Sequence, residues 1–165
     1  MDEQKQTFSP LRLKAEDQED LVVMSTYLQD AVTVMEDIRW LPSERRFVLM
    51  LNRYTWEQTC AETGKPLTEG GKACHRVRTG LHFNDVLKVS RQNFPIGLKS
   101  HVLELLAIEA ARPVEDGNWL IDLIFAGDEI VRLEAEIIDA QMQDIGHPWP
   151  AKCHPKHKIL ETLRD

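Results

Sequence analysis

The sequence has few cysteines, no long apolar run and no leader-like start. Its three cysteines are Cys60, Cys74 and Cys153, and a small odd number of this kind argues against a disulfide framework. No apolar run approaches the roughly 20 residues of a membrane-spanning helix, and the polar first six residues do not suit a signal peptide. We therefore expect a cytoplasmic protein with reduced thiols and no membrane segment.

Zinc-binding spacing is also missing. The thiol and imidazole candidates are Cys60, Cys74, His75, Cys153, His154 and His157. Zinc takes four such ligands in a tetrahedron, but there is no Cys-x2-Cys pair, and Cys153 lies 79 positions after Cys74. We favour exposed loop and tail residues over a metal site and predict no bound metal or cofactor.

No motif for catalysis or nucleotide binding stands out. Cys74 has His75 beside it, but adjacent side chains rarely face each other, and the neighbouring glycines suit a poorly ordered nucleophile. Gly71-Lys72 is followed by Ala73, so the phosphate-loop pattern is not met. Runs of carboxylates at 16–20 and 134–139 are typical of solvated faces and helix ends. The sequence therefore argues against an enzyme, with no catalytic residue assigned.

Charge is distributed unevenly. The net charge is −7, yet residues 37–100 carry 11 basic and 6 acidic side chains. The acidic total argues against a nucleic-acid-binding domain. The basic middle is compatible with a local anionic partner, either an unknown protein or a small anionic ligand.

The first half predicts one helix among strands. Alternation indicates a strand at 11–15, and Asp17 followed by Leu21, Met24 and Leu28 predicts a capped helix at 17–29. Strand signals at 32–41 and 46–54 flank a turn and predict a hairpin. Residues 57–75, which contain Gly64, Gly70 and Gly71, indicate a flexible loop.

The second half predicts further antiparallel strands, at 77–83, 86–89, 102–109, 119–125 and 129–134. A strand passing into a short helix is expected over 135–145, and irregular structure over 147–150 because of its two prolines. The fold class is therefore α+β: one N-terminal helix on a curved, mainly antiparallel sheet of about seven strands, arranged as a meander or a two-sheet, barrel-like structure. We expect a disordered stretch at 1–9, one domain at 10–150 and a loosely ordered tail at 151–165.

Arginine and tryptophan residues are the best candidates for a binding surface, because both types are enriched in interface hot spots. The predicted residues are Arg39, Trp40, Arg53, Trp56, Arg76, Arg78 and His82. A simpler interpretation has the tryptophans cover the ends of the sheet core. We favour a non-enzymatic binding or interaction domain. A homodimer is one assembly compatible with this prediction. The alternative is a small-molecule-binding protein or small enzyme with a pocket between helix and sheet, lined by residues such as His82, Asn52 or Arg53.

Several segments, in order along the chain, carry a family resemblance. They are LQDAV at 28–32, WLP at 40–42, RFVLMLNR at 46–53, WE at 56–57, LHF at 81–83, VL at 86–87, LLAI at 105–108, FAG at 125–127, IVRLE at 130–134, DIG at 144–146 and WPA at 149–151. Together they resemble a bacterial family known only as domain of unknown function 2948, over about residues 10–158. The resemblance implies a small bacterial cytosolic protein and brings no catalytic residues with it.

Overall fold

The computed structural model describes residues 6–57, 59–60, 68–69, 72–73, 75–94 and 100–151. One α-helix, α1 (Gln18–Leu28), is present in the described part of the chain. The strands are β1 (Gln6–Thr7), β2 (Arg12–Ala15), β3 (Val32–Val34), β4 (Ile38–Leu41), β5 (Arg46–Tyr54), β6 (Thr59–Cys60), β7 (Thr68–Glu69), β8 (Lys72–Ala73), β9 (His75–Phe83), β10 (Val86–Gln92), β11 (Val102–Ala111), β12 (Trp119–Phe125), β13 (Glu129–Ala135) and β14 (Ala140–Pro150).

Ten strands form one antiparallel sheet in the order β10–β13–β12–β11–β3–β5–β9–β14–β2, with β4 also paired to β5. Strands β9 and β14 are neighbours although β10 to β13 lie between them in the sequence. The last residue of β9, Phe83, and the first residue of β14, Ala140, are Cα partners. The inserted segment therefore begins and ends at the same place in the sheet. Two bonds join the flanking residues there, from Asn84 N to Asp139 O (2.8 Å) and from Asn84 Nδ2 to Asp139 Oδ2 (3.2 Å).

The helix begins where the sequence predicted. Asp17 is the N-cap residue, and its side chain accepts a 2.8 Å hydrogen bond from Asp20 N. The Asp20 carboxylate accepts one in return from Glu16 N, at 2.9 Å. The first bond satisfies an amide group that a helix start leaves open, and the second fixes the chain that leads into the helix. The buried side of the helix consists of Leu21, Met24 and Leu28, as expected from their spacing.

The sheet curves around the helix. α1 contacts β11 and β2, which are separated in the sheet by β3, β5, β9 and β14. In a flat sheet, five strand spacings of about 4.8 Å would put β11 and β2 about 24 Å apart, whereas the 11-residue helix is only about 16 Å long and about 10–12 Å wide with its side chains. The concave side therefore encloses one continuous core, to which α1, the central strands and the inserted strands all contribute.

Two parts of the predicted architecture are wrong. The sheet has ten strands rather than about seven, and it is not a barrel, because the two ends of the strand order, β10 and β2, do not pair with each other. A meander is confined to β11–β12–β13. The chain instead turns at Asn84 and Asp85, where φ is +57° at Asp85, and β10 joins the far edge beside β13. The alternation of apolar and polar residues within one strand does not indicate which distant strand it pairs with.

The segment after Ala135 also differs from the prediction. No helix follows β13 there; after a short turn the chain forms β14, whose Ala140, Met142 and Asp144 are buried in alternation. Pairing with β9 and β2 on both sides supplies the backbone hydrogen bonds. The strand continues through 147–150 despite its prolines. Pro148 lies where the register with β9 shifts, so the N–H group that proline lacks is not needed for a hydrogen bond to β9.

The predicted loop at 57–75 contains three two-residue strands in its described part: β6 pairs with β1, and β7 pairs with β8. The flexibility of this loop stays a prediction, and residues 58, 61–67, 70–71 and 74 lie outside the described part of the chain. The same holds for residues 1–5 and for 152–165, on which the predicted terminal segments fall.

Candidate functional site: a basic outer face

The sheet register aligns polar side chains on the outer face of five adjacent strands, the face that points away from the core. Cα partners across an antiparallel pair point to the same side. One row of partners crosses β4, β5, β9, β14 and β2: Arg39, Val48, His82, Gln141 and Lys14. The next row, Met50, Gly80, Gln143 and Arg12, lies beside it. A third consists of Asn52, Arg78 and Ile145. We call this surface the basic face.

Three arginines of the basic face have no carboxylate partner in the part of the chain that the structure describes. Arg12 donates to the side-chain oxygen of Gln143 (3.1 Å), and Arg46, two residues before Val48 on the same side of β5, donates to that of Asn84 (3.0 Å). Arg39 is exposed. By contrast, Lys14 pairs with Glu16 and Arg78 with Asp37. The face therefore keeps an excess of positive charge on a chain of net charge −7.

The centre of the basic face is apolar and shallow. Gly80 lies there without a side chain, and a Cβ added to it would lie 3.5 Å from the Met50 sulfur and 3.7 Å from Ile145 Cδ1. Ile145 is 49% exposed. Val48 and Met50 are half-buried. An apolar centre with charged residues around it is the usual anatomy of a protein interface.

The imidazole of His82 lies on the basic face and is partly buried. Burial lowers its pKa from the ordinary value, the positive charge of Arg46 lowers it further, and the carboxylate of Asp139 opposes both effects. Histidine is consequently held neutral to lower pH than usual. The basic face thus contains a group that charges only in mild acid.

Arg53 does not belong to the basic face. Its side chain lies on the inner side of β5, fully buried, where Nε and Nη2 donate to Asp144 at 2.8 and 2.7 Å. Nη1 and Nη2 also donate to Glu57 at 2.9 and 2.6 Å, and Nη1 to Tyr54 O. Burial alone lowers the pKa of Arg53, but the bonds to Asp144 and Glu57 outweigh it and raise the pKa. With all its donors engaged, Arg53 is a structural residue.

Arg76 and Trp56 close one end of the sheet. The Arg76 guanidinium lies 3.8 Å from the centre of the Tyr54 ring and donates to Asn52 O at 2.6 Å. The Trp56 ring packs against the Tyr54 ring, and its Nε1 donates to Gln29 O at 3.2 Å. This arrangement agrees with the simpler interpretation of the tryptophans. Trp40 follows Arg39 on β4 and so points to the opposite side of the sheet, into an apolar cleft.

The predicted binding residues are therefore divided. The structure brings Arg39, Arg78 and His82 together on one face. Arg76 lies two residues before Arg78 on the same side of β9, but its guanidinium is held by the Tyr54 ring and Asn52 O. Arg53 and Trp40 lie on the opposite side of the sheet, and Trp56 follows the end of β5. Arg12 was not among the predicted residues, and Arg46 was considered only as one of the basic side chains of the middle of the sequence. Their signal was the strand alternation of Arg12 with Lys14 and of Arg46 with Val48, but only the register shows that these strands are neighbours.

The predicted pocket between helix and sheet corresponds to a shallow groove of about 320 Å³ between α1 and β11. Ser25, one of its polar residues, already accepts a 2.9 Å hydrogen bond from Ile108 N. The groove contains none of His82, Asn52 and Arg53. Within the described ranges no group of three histidine, cysteine, aspartate or glutamate residues could hold a metal ion; Cys74, Cys153, His154 and His157 lie outside them.

The fold and the site together define an α+β protein with an open antiparallel sheet and a basic convex face. A family profile described as "Protein of unknown function (DUF2948)" matches residues 11–157, so the chain belongs to that family. No match was found among the curated proteins or among the solved structures. Among the residues that the structure describes, no helix has the length and apolar character to span a membrane.

Proposed function

We propose that the protein is a non-enzymatic interaction domain whose basic face binds an acidic surface of another protein. The observation that carries the proposal is the set of three arginines, Arg12, Arg39 and Arg46, that face outward without a carboxylate partner among the described residues. Exposed cations on an acidic protein favour an acidic partner, because complementary charge accelerates association and disfavours other surfaces.

The size of the face favours a protein over a small ion. Arg39 on β4 and Arg12 on β2 are four strand spacings apart through β5, β9 and β14, or about 19 Å. A single small anion cannot contact both. The apolar centre around Gly80 supplies area that loses water on contact, and the arginines around it supply orientation.

The test compares two matched double variants. Arg12→Glu with Arg39→Glu reverses two charges on the basic face, and Lys88→Glu with Arg91→Glu reverses two on the exposed edge strand β10. Each protein captures partners from a lysate, and any candidate that depends on the basic face is then purified and titrated. We expect the first variant to weaken binding of the purified partner by roughly tenfold or more, and the second to leave it nearly unchanged.

Salt provides an independent readout. Association through the basic face should slow markedly as ionic strength rises, because opposite charges on exposed surfaces are screened. The proposal is overturned if no captured protein depends on Arg12 and Arg39, or if both double variants weaken binding equally. It is also overturned if the wild type self-associates through this face, because the partner would then be a second copy rather than an acidic protein.

A further inference from the structure

An apolar cleft lies between the β4–β5 hairpin and the strand pair β10–β13, on the side of the sheet opposite the basic face. Its volume is about 380 Å³. Trp40 and Phe47 are Cα partners on one wall, and Arg91 and Val131 are Cα partners on the other. Because partners share a side of the sheet, all four side chains face the same space.

The cleft is large enough to hold a small organic molecule. Apolar cavities of about 150 Å³ already bind benzene-sized molecules, and ligand pockets begin at about 300 Å³. The back of the cleft is anchored, because the Phe94 ring meets the buried Phe125 ring edge-on at 6.2 Å.

Arg91 is the single charged residue of the lining; the other seven side chains are apolar. It is exposed, and among the described residues no carboxylate pairs with it. The neighbouring Arg132, in contrast, holds Asp122 through bonds of 2.8 and 2.9 Å. An apolar slot with one unpaired guanidinium at its edge matches a ligand with an apolar body and a single anionic head. A carboxylate is the head group that a guanidinium binds through two parallel hydrogen bonds.

We propose that this cleft binds an apolar monocarboxylate, such as a fatty acid, with the chain against Trp40 and Phe47 and the carboxylate at Arg91. The site is separate from the basic face, so either proposal can fail without the other.

The first experiment titrates the full chain with dodecanoate and with 1-dodecanol, each below the concentration at which it aggregates. Both ligands should bind, because both have the same apolar body. Arg91→Gln should weaken dodecanoate about two- to fivefold, the range of an exposed ion pair, and should leave 1-dodecanol unchanged. Lys88→Gln is the matched control, since it removes the same charge from the same strand but does not line the cleft.

The second experiment fills the cleft. Val89 lines it and is half-buried, whereas Leu87 on the same strand is exposed and does not line it. Val89→Trp should reduce the affinity for both ligands at least tenfold, and Leu87→Trp should change neither. Circular dichroism and the thermal midpoint establish that both variants are folded. In Trp40→Phe, the ligand-dependent change in tryptophan fluorescence should disappear.

Dodecanoate binding that is weakened selectively by Arg91→Gln and removed by Val89→Trp supports the proposal. Three results overturn it: no dodecanoate binding by the wild type, binding that persists in folded Val89→Trp, or an equal effect of Arg91→Gln on the acid and the alcohol.

Discussion

The guanidinium of Arg53 and the carboxylate of Asp144 form a two-point ion pair between side chains that are both fully buried. Asp144 also accepts hydrogen bonds from Thr79 Oγ1 (2.9 Å) and Leu11 N (2.8 Å). Arg53→Met should therefore lower the free energy of unfolding by about 3–5 kcal/mol, because it leaves a buried carboxylate without its counter-charge. Urea denaturation measures the change.

The matched control is Arg78→Met. Arg78 pairs with Asp37 at 3.1 Å, but both side chains remain about one-third exposed, and a pair of this kind contributes at most about 1 kcal/mol. Similar losses for the two variants would contradict a special role for Arg53. The double variant Arg53→Met with Asp144→Leu should recover part of the loss, because the fully buried carboxylate is then removed together with its partner.

The lowered pKa of His82 predicts a specific pH dependence of stability. The unfolded chain binds a proton at this residue more readily than the folded one, so the contribution to stability is complete above the ordinary histidine pKa of about 6.5. It is lost as the pH falls through that value towards the folded pKa. His82→Gln should flatten the stability profile in this window, as measured by urea denaturation at several pH values.

Two controls test the cause. Arg46→Gln should move the pKa of His82 upward, because it removes the charge that opposes protonation, and NMR titration of the imidazole follows this directly. Arg12→Gln removes another arginine of the basic face, and it should leave the pKa of His82 nearly unchanged, because the charge that acts on the imidazole is that of Arg46. A wild-type profile unaffected by His82→Gln would show that other groups govern the window.

Two glycines should respond to alanine in opposite directions. At Gly80 a Cβ meets only ordinary contacts and the backbone is strand, so Gly80→Ala should stabilise the protein by about 0.5–1 kcal/mol. At Gly146 there is open space but φ is +77°, and Gly146→Ala should destabilise it by about 1–2 kcal/mol. Thermal denaturation of both variants measures these changes. A loss of stability in Gly80→Ala would contradict the prediction and would indicate that Met50 and Ile145 leave no room for a Cβ atom.

Local features of the fold could be predicted because short-range physics determines them. The Asp17 cap and the spacing of Leu21, Met24 and Leu28 are sufficient to locate α1. The β12–β13 hairpin follows from its strands and from the turn at Gly127 and Asp128, both of which take positive φ. In each case the residues that determine the structure are near one another in the sequence.

Strand order and burial could not be predicted in this way. Arg53 sits in the basic middle of the sequence, which suggests a surface residue, and its partner Asp144 is 91 residues away. Likewise, Arg39 and Arg12 share a face only because β5, β9 and β14 join their strands in one sheet. The family resemblance, confirmed by the profile match over residues 11–157, added no information about pairing.

The insertion of β10 to β13 between two neighbouring strands has a consequence for synthesis on the ribosome. Phe83 and Ala140 are partners, so the edge of β9 that β14 covers lacks its partner until the intervening residues have been made. At about 5–20 residues per second, this takes on the order of 3–11 seconds. During that interval the nascent chain presents an open strand edge, the feature most prone to pairing with other chains, and a chaperone that shields such edges would act on it then.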